Sequence, residues 1–181
     1  MKRRDFLKNI GVAGLATFLA SSPWISALSE SEHTQKEKIR LAIIGAGSRA
    51  RHLSRFLTQN PKVEIAVLCD IYQPSIDSTL KLVPGAKVCM DYRKVLDDKS
   101  IDAVVIATPL NSHYPIAMDA FDAGKHVFCE KTIGFTLEEC FNMYQKHRQT
   151  GLIFFTGQQR LFDPRYLKAM EMIHSLSLIH I

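Results

Sequence analysis

The sequence has no long apolar run, no closely spaced pair of cysteines and no basic run interleaved with aromatic residues. The weakly apolar stretch at residues 10–20 is too short, and too rich in glycine and alanine, for a stable membrane span. The four cysteines, Cys69, Cys89, Cys129 and Cys140, form no C-x-x-C pair, so we expect no metal site. We interpret them as small buried hydrophobes, although their even number leaves a disulfide possible in an exported protein.

The net charge is also too small to indicate a nucleic-acid partner. The whole chain has a formal charge of +5, from 23 basic and 18 acidic residues. Residues 1–27 contribute four of the basic residues and one of the acidic residues, which leaves 19 basic and 17 acidic residues, or +2, in the rest. A domain with so little excess positive charge lacks the electrostatic footprint of nucleic-acid binding.

The N-terminus has the pattern of an export signal. Residues 3–8, R-R-D-F-L-K, resemble the twin-arginine motif R-R-x-F-L-K, and residues 25–27, I-S-A, provide a small-residue cleavage site. We therefore predict a signal peptide over residues 1–27 and a polar linker over residues 28–38. The resemblance implies recognition by the twin-arginine translocase and a periplasmic or otherwise exported location, reached in the folded state.

From residue 39 onward, short apolar segments alternate with amphipathic ones, which is typical of βαβ units that form a parallel sheet. The predicted strands are residues 39–44, 63–69, 87–90, 103–107, 126–129 and 152–156. The predicted helices are residues 48–58, 74–82, 92–96, 112–123, 137–150 and 164–174. Six strands that alternate with helices predict an α/β fold with a doubly wound parallel sheet, the Rossmann arrangement.

Capping residues support two of these helices. Asp91 is a candidate N-cap, and Thr136 with Glu139 has the spacing of a capping box for a helix that Gly151 ends. The apolar residues of this second helix at positions i, i+3, i+4 and i+7 predict its inward face: Leu137, Cys140, Phe141 and Tyr144.

A glycine-rich turn follows the first strand. Residues 45–50 have the pattern G-x-G-x-x-A, in which Gly45 permits a tight turn and Gly47 lets backbone N–H groups approach a diphosphate. The diphosphate would then lie at the N-terminus of the next helix, beside Ser48 and Arg49. The turn therefore predicts a dinucleotide site that includes all four residues.

Asp70 directly follows the predicted second strand, 23 residues after Gly47. A carboxylate at this position accepts hydrogen bonds from the ribose hydroxyls of NAD and repels the 2′-phosphate of NADP, so NAD is the predicted cofactor and NADP is disfavoured. Arg49 and Arg51 leave NADP open, because an arginine near the adenosine ribose could tolerate the extra phosphate.

Two further polar segments follow the fourth and fifth strands, where open α/β sheets bind their ligands. Residues 107–113 are A-T-P-L-N-S-H and residues 129–132 are C-E-K-T. Taken alone, Asn111 or Ser112 is equally well explained as a helix cap, and Glu130 with Lys131 as a surface ion pair.

Together these segments resemble the Gfo/Idh/MocA family of oxidoreductases, named after glucose–fructose oxidoreductase and inositol dehydrogenase. The matching segments occur in order: residues 45–50, Asp70, 107–113, 124–127, 130–131 and 157–164. The resemblance implies an NAD-binding Rossmann domain followed by an α+β domain, and hydride transfer at a hydroxyl-bearing carbon of a sugar, cyclitol or related polyol. It also implies a homo-oligomeric full-length parent.

By the same resemblance, Lys131 would bind the substrate hydroxyl or move its proton, with Glu130 and His113 completing the catalytic group. Glu130 would also contact the cofactor, together with three residues of the nicotinamide-side loop: Thr108, Pro109 and Asn111. The family usually has E-K-P where this chain has Thr132, and proline adopts a cis peptide bond more readily than threonine does. The placement of Lys131 is thus left open.

Three hypotheses follow: a sugar or cyclitol dehydrogenase, an NAD-retaining glycoside hydrolase of the same fold, and a non-catalytic binding protein. We expect the Rossmann domain at residues 39–157, with residues 158–174 leading into a second domain that this chain lacks. Residues 175–181 resemble, from Leu176 onward, the translation of a sequencing-library adapter. We therefore expect a truncated, inactive fragment, which a native stop codon after Ile181 would refute.

Overall fold

The computed structural model describes residues 38–175, apart from the side chain of Leu161. The predicted twin-arginine signal, nearly all of the predicted linker and the segment from residue 176 onward lie outside the described residues. Within residues 38–175, no helix combines the length and apolarity needed to cross a bilayer.

The core of the fold is one parallel six-stranded sheet with the order β3-β2-β1-β4-β5-β6. The strands are β1 Ile39–Ile44, β2 Val63–Cys69, β3 Lys87–Cys89, β4 Ala103–Ile106, β5 His126–Cys129 and β6 Phe154–Thr156. The predicted doubly wound sheet is confirmed, although β6 begins two residues later than predicted. Because the strand order reverses between β1 and β4, a crevice opens there at the carboxyl ends of the strands.

Six α-helices accompany these strands within the described residues. They are α1 Ser48–Leu57, α2 Gln73–Leu80, α3 Tyr92–Asp97, α4 His113–Asp122, α5 Leu137–Thr150 and α6 Pro164–Ser175. The Asp91 carboxylate accepts the Arg93 N–H as an N-cap, and Thr136 and Glu139 form the predicted capping box. Gly151 ends α5 with a φ of 67°, so the predicted caps are confirmed.

Each face of the sheet has its own apolar core, because alternate residues of the strands point to opposite faces. On one face, Ile44 and Ile106 belong to a cluster with Phe121 of α4 and Met143 of α5. On the other, the cluster of β1, β2 and β4 side chains includes Ala50 of α1. Burial on both faces explains why these strands are continuous apolar runs.

On the second face, apolar side chains line a groove beside α1. An apolar groove of about 290 Å³ runs along β4, β5 and β6, and its walls include Leu53, Val105, Phe128 and Phe155. The Phe128 and Phe155 rings are stacked with their centroids 5.7 Å apart. Apolar surfaces of this kind are usually covered by another protein segment or domain.

The predicted inward face of α5 is wrong for three of its four residues. Leu137 is 89% exposed, and Phe141 and Tyr144 are more than half exposed, whereas Met143 is completely buried. The helix packs through a neighbouring stripe that contains Met143, and of the predicted face only Cys140 is half-buried. Both stripes have helical spacing, so periodicity alone could not decide which one faces α4.

The observed orientation of α5 predicts different effects for two substitutions in this helix. We expect Met143→Ala to lower the free energy of unfolding by about 2–5 kcal/mol, because it leaves a cavity in the core. Leu137→Ala removes an exposed side chain, so its effect should stay within about 0.5 kcal/mol. Urea denaturation of the 181-residue chain measures both, and equal losses would contradict the observed orientation of α5.

Candidate active site

A crevice of about 760 Å³ lies at the carboxyl ends of β1, β2 and β4. Seven predicted cofactor-site residues line it, and they come from three separate segments: Gly45, Gly47, Ser48, Arg49, Asp70, Thr108 and Pro109. Asn111, Glu130, Lys131 and His113 are not among its lining residues. The crevice therefore unites the predicted diphosphate and ribose positions, whereas the predicted catalytic group is built beside it.

The glycine turn fits closely against the end of β4. Gly45 has a φ of +93°, and a Cβ atom there would lie 2.6 Å from the Ala107 carbonyl carbon and the Thr108 nitrogen. A side chain is excluded at this position both by backbone conformation and by space. By contrast, a Cβ on Gly47 would have no atom within 4 Å, so Gly47 faces the open crevice.

Gly47 is also the N-cap of α1, and no side chain caps the N-terminus of this helix. The first N–H groups of a helix have no partner within the helix, and the helix dipole attracts an anion to them. Ser48 and Arg49 form the start of α1 at the wall of the crevice. This arrangement suits a diphosphate.

Asp70 is held in place by the backbone on both sides. One of its carboxylate oxygens accepts the Ala46 N–H at 2.6 Å, and the other accepts the Tyr72 N–H at 2.9 Å. An ionised carboxylate offers about four lone-pair positions, so both oxygens can still accept ribose hydroxyls. The glycine turn and the ribose-binding acid are therefore fixed relative to each other.

Among the described residues, neither arginine that left NADP open forms a hydrogen bond with Asp70. The Arg49 side chain donates to Glu130, and Arg51 Nη1 lies 3.5 Å from the Ala46 carbonyl oxygen. A different residue, Arg93, lines the crevice beside Asp70 and lies over the Tyr92 ring, 4.6 Å from its centroid.

The sequence reasoning missed the wall that follows β3. The lining residues there and nearby are Ile71, Met90, Asp91, Tyr92 and Arg93. Their position could have indicated them, because β3 lies next to β2 and its carboxyl end meets the same edge of the sheet. Burial and a hydrogen bond to Asp119 raise the pKa of the Tyr92 phenol to about 12.

One buried polar atom at the crevice is unsatisfied. The Thr108 hydroxyl is buried and has no hydrogen-bond partner among the described residues. Buried hydroxyls almost always have a hydrogen-bond partner. An unpaired hydroxyl in a ligand crevice is therefore consistent with a bound ligand that provides the missing partner. Together with the open Gly47 side and the uncapped helix, this atom makes the residues fit a dinucleotide.

A buried carboxylate, that of Glu130, lies beside the crevice at the end of β5. Glu130 is 5% exposed, and its Oε1 accepts a hydrogen bond from Arg49 Nε at 2.6 Å. Its Oε2 accepts the backbone N–H of Lys131 at 3.1 Å. The Lys131 side chain is exposed, and the Lys131–Thr132 peptide bond is cis.

His113 connects the ends of β4 and β5. It is 2% exposed, with Nδ1 2.7 Å from the Thr132 carbonyl oxygen and Nε2 2.9 Å from the Thr108 carbonyl oxygen. Because both ring nitrogens face backbone carbonyls, this geometry suits a residue that holds the two loops together. It is less suited to direct contact with substrate.

Of the four cysteines, Cys69 alone lines the crevice. Cys69 and Cys129 are buried, and burial raises the pKa of each thiol to about 12, which makes them unreactive. Cys89 and Cys140 are half-buried, and all four thiols are free. Within residues 38–175, no group of three or more His, Cys, Asp or Glu residues is placed to hold a metal ion.

A doubly wound sheet with a glycine turn, an acid after β2 and a crevice at the strand reversal defines an NAD-binding Rossmann domain. The sequence model described as "Oxidoreductase family, NAD-binding Rossmann fold", Gfo/Idh/MocA, matches residues 39–158. The chain belongs to this family.

Two relatives and one solved structure illustrate the range of proteins that the chain resembles. A scyllo-inositol 2-dehydrogenase (NAD(+)) from Bacillus subtilis is 30% identical over 139 residues, covering 76% of this chain and 41% of the relative. A glycosyl hydrolase family 109 protein from Parabacteroides distasonis is 33% identical over 168 residues, covering 82% of this chain and 36% of the relative.

Among solved structures, scyllo-inositol dehydrogenase from Lactobacillus casei, with bound NAD(H) and scyllo-inositol, superposes with a TM-score of 0.70. It is 28% identical, and the match covers 76% of this chain and 41% of that one. The chain therefore spans about two fifths of the length of these relatives.

The two glycines of the turn should respond differently to alanine. Gly47→Ala should leave the free energy of unfolding nearly unchanged but weaken NAD⁺ binding by about tenfold or more, because the methyl group occupies diphosphate space. Gly45→Ala should lower the free energy of unfolding by about 2 kcal/mol or more, through its positive φ and its clash with β4. Calorimetric NAD⁺ titration and urea denaturation separate the two effects; normal NAD⁺ binding by Gly47→Ala would contradict this site.

Proposed function

We propose that this chain is the NAD-binding part of an oxidoreductase that transfers hydride between NAD and a hydroxyl-bearing carbon of a sugar, cyclitol or related polyol. The observation that supports it is the position of Glu130 and Lys131 at the end of β5, directly beside a crevice built for a dinucleotide. Inositol dehydrogenases among the relatives are consistent with this class of substrate.

In this proposal, bound NAD supplies the hydride acceptor or donor. The N-terminus of α1 binds the diphosphate, and Asp70 binds the adenosine ribose. The Lys131 ammonium, which is exposed, binds the substrate hydroxyl or moves its proton. Glu130 and His113 hold the Lys131 backbone and the adjoining loops from the buried side.

A second candidate function is glycoside hydrolysis with retained NAD. The specific support is the group of relatives named as glycosyl hydrolase family 109 proteins, which are 28–33% identical to this chain. Such an enzyme would use the same oxidation transiently and restore its cofactor, so its net product would be a released sugar.

The test uses the complete protein encoded at the locus, with NAD⁺ and a panel of cyclitols, sugars and aryl glycosides. We expect reduced cofactor to accumulate with a free cyclitol or sugar. The Lys131→Met substitution should abolish this cofactor reduction without loss of NAD⁺ binding. Sugar release from a glycoside without net cofactor reduction would replace the first function by the second. Absence of both reactions would favour a non-catalytic binding protein.

The proposal includes export by the twin-arginine route, which the R-R-D-F-L-K motif at residues 3–8 supports. We expect residues 1–38 to carry a folded fluorescent reporter into the periplasm, because this route accepts folded cargo. Replacing both Arg3 and Arg4 by lysine should retain the reporter in the cytoplasm. Equal export of both fusions would refute the motif's role.

A further inference from the structure

We propose that Arg49 is a positioning residue for Lys131 and acts through Glu130. The inference rests on the proposed function, which gives Lys131 its role at the substrate hydroxyl. It assigns a second task to the diphosphate-binding turn, in which the side chain of Arg49 orders the reactive end of β5 while the backbone of the turn binds the cofactor.

The contact between Arg49 and Glu130 joins two distant parts of the chain. Arg49 is the second residue of α1, and its Nε lies 2.6 Å from Glu130 Oε1, across 81 residues of sequence. The Glu130 side chain is only 6% exposed, against 36% for Arg49. Buried carboxylates are seldom found without a charged partner, and Arg49 fills that position for Glu130.

The other side of the carboxylate is fixed as well. A Cβ atom on Gly157 would lie 2.8 Å from Glu130 Oε2, so the backbone after β6 closes directly on the carboxylate. Gly157 is itself held by its N–H, which donates to the Cys129 carbonyl oxygen at 2.8 Å. Arg49 therefore holds Oε1, the Gly157 backbone lies against the carboxyl group, and Oε2 accepts the Lys131 N–H.

These contacts form a path from the cofactor site to the reactive lysine. The Arg49 guanidinium fixes the orientation of the Glu130 carboxylate, and the carboxylate fixes the position of the Lys131 N–H. Lysine is a poor replacement for Arg49, because its ammonium lies one atom further along the side chain than Nε and lacks the planar geometry of a guanidinium. The path therefore depends on the arginine itself and not on its charge alone.

The test follows the Lys131 backbone amide by NMR in the 181-residue chain labelled with ¹⁵N-lysine, with Lys131→Arg to assign the signal. Glu130→Gln removes the carboxylate, and we expect Arg49→Gln and Gly157→Ala to move the Lys131 signal in the same direction. In the double variant Arg49→Gln/Glu130→Gln, the Lys131 signal should lie at the same position as in Glu130→Gln alone. Arg55→Gln, an exposed arginine on the same helix, is the matched control and should leave the signal unmoved.

Two outcomes would overturn the inference. One is an unmoved Lys131 signal in folded Arg49→Gln; the other is a double variant whose displacement is the sum of the single ones, as independent structural effects would give. If Arg49→Gln does not fold, Arg49→Lys decides. We expect Arg49→Lys to move the signal by a smaller amount, and an unmoved signal there refutes the need for the guanidinium.

NAD⁺ titration of the same samples keeps this test separate from that of the proposed function. If the Arg49→Gln variant binds NAD⁺ and its Lys131 signal is unmoved, Arg49 does not position Lys131, and the oxidoreductase proposal is unaffected. Failure of the unsubstituted chain to bind NAD⁺ contradicts the proposed function, whereas the coupling between Arg49, Glu130 and Lys131 is measured without cofactor and stands or falls by itself.

Discussion

The site depends on the close approach of the glycine turn to the end of β4. With no Cβ at Gly45, the backbone after β1 lies directly against Ala107 and Thr108. That contact brings the N-terminus of α1 to the point where the strand order reverses. It also sets the positions of Ala46, whose N–H orients Asp70, and of Arg49, whose side chain reaches the end of β5. One missing methyl group therefore fixes three parts of the site.

The second constraint is the burial of polar groups between the strand ends. His113 bridges the loops after β4 and β5 through two backbone carbonyls, and Glu130 bridges α1 and the Lys131 peptide. Buried polar groups are costly without partners, so the loops adopt the conformations that satisfy these side chains. The sheet provides the positions of the strand ends, and the buried polar side chains determine the shape of the loops between them.

Features that depend on residues close together in the sequence could be predicted, and features that depend on distant residues could not. The strands, the glycine turn and the caps of α3 and α5 could be predicted, because each depends on residues a few positions apart. The inward face of α5 could not, since Leu137 and Met143 belong to competing apolar stripes and only the packing against α4 distinguishes them. The partner of Arg49 is 81 residues away, and no local pattern indicates such a pair.

The arrangement at the end of β5 separates rigidity from reactivity. Glu130 and His113 are buried and hold backbone atoms, whereas the Lys131 side chain is exposed at the same edge of the sheet. A group that binds a substrate hydroxyl or moves its proton has to reach that substrate, but its backbone has to be placed reproducibly relative to the cofactor. Fixing the peptide by buried contacts meets both requirements, and it explains why a glutamate and a histidine are buried next to a lysine that is exposed.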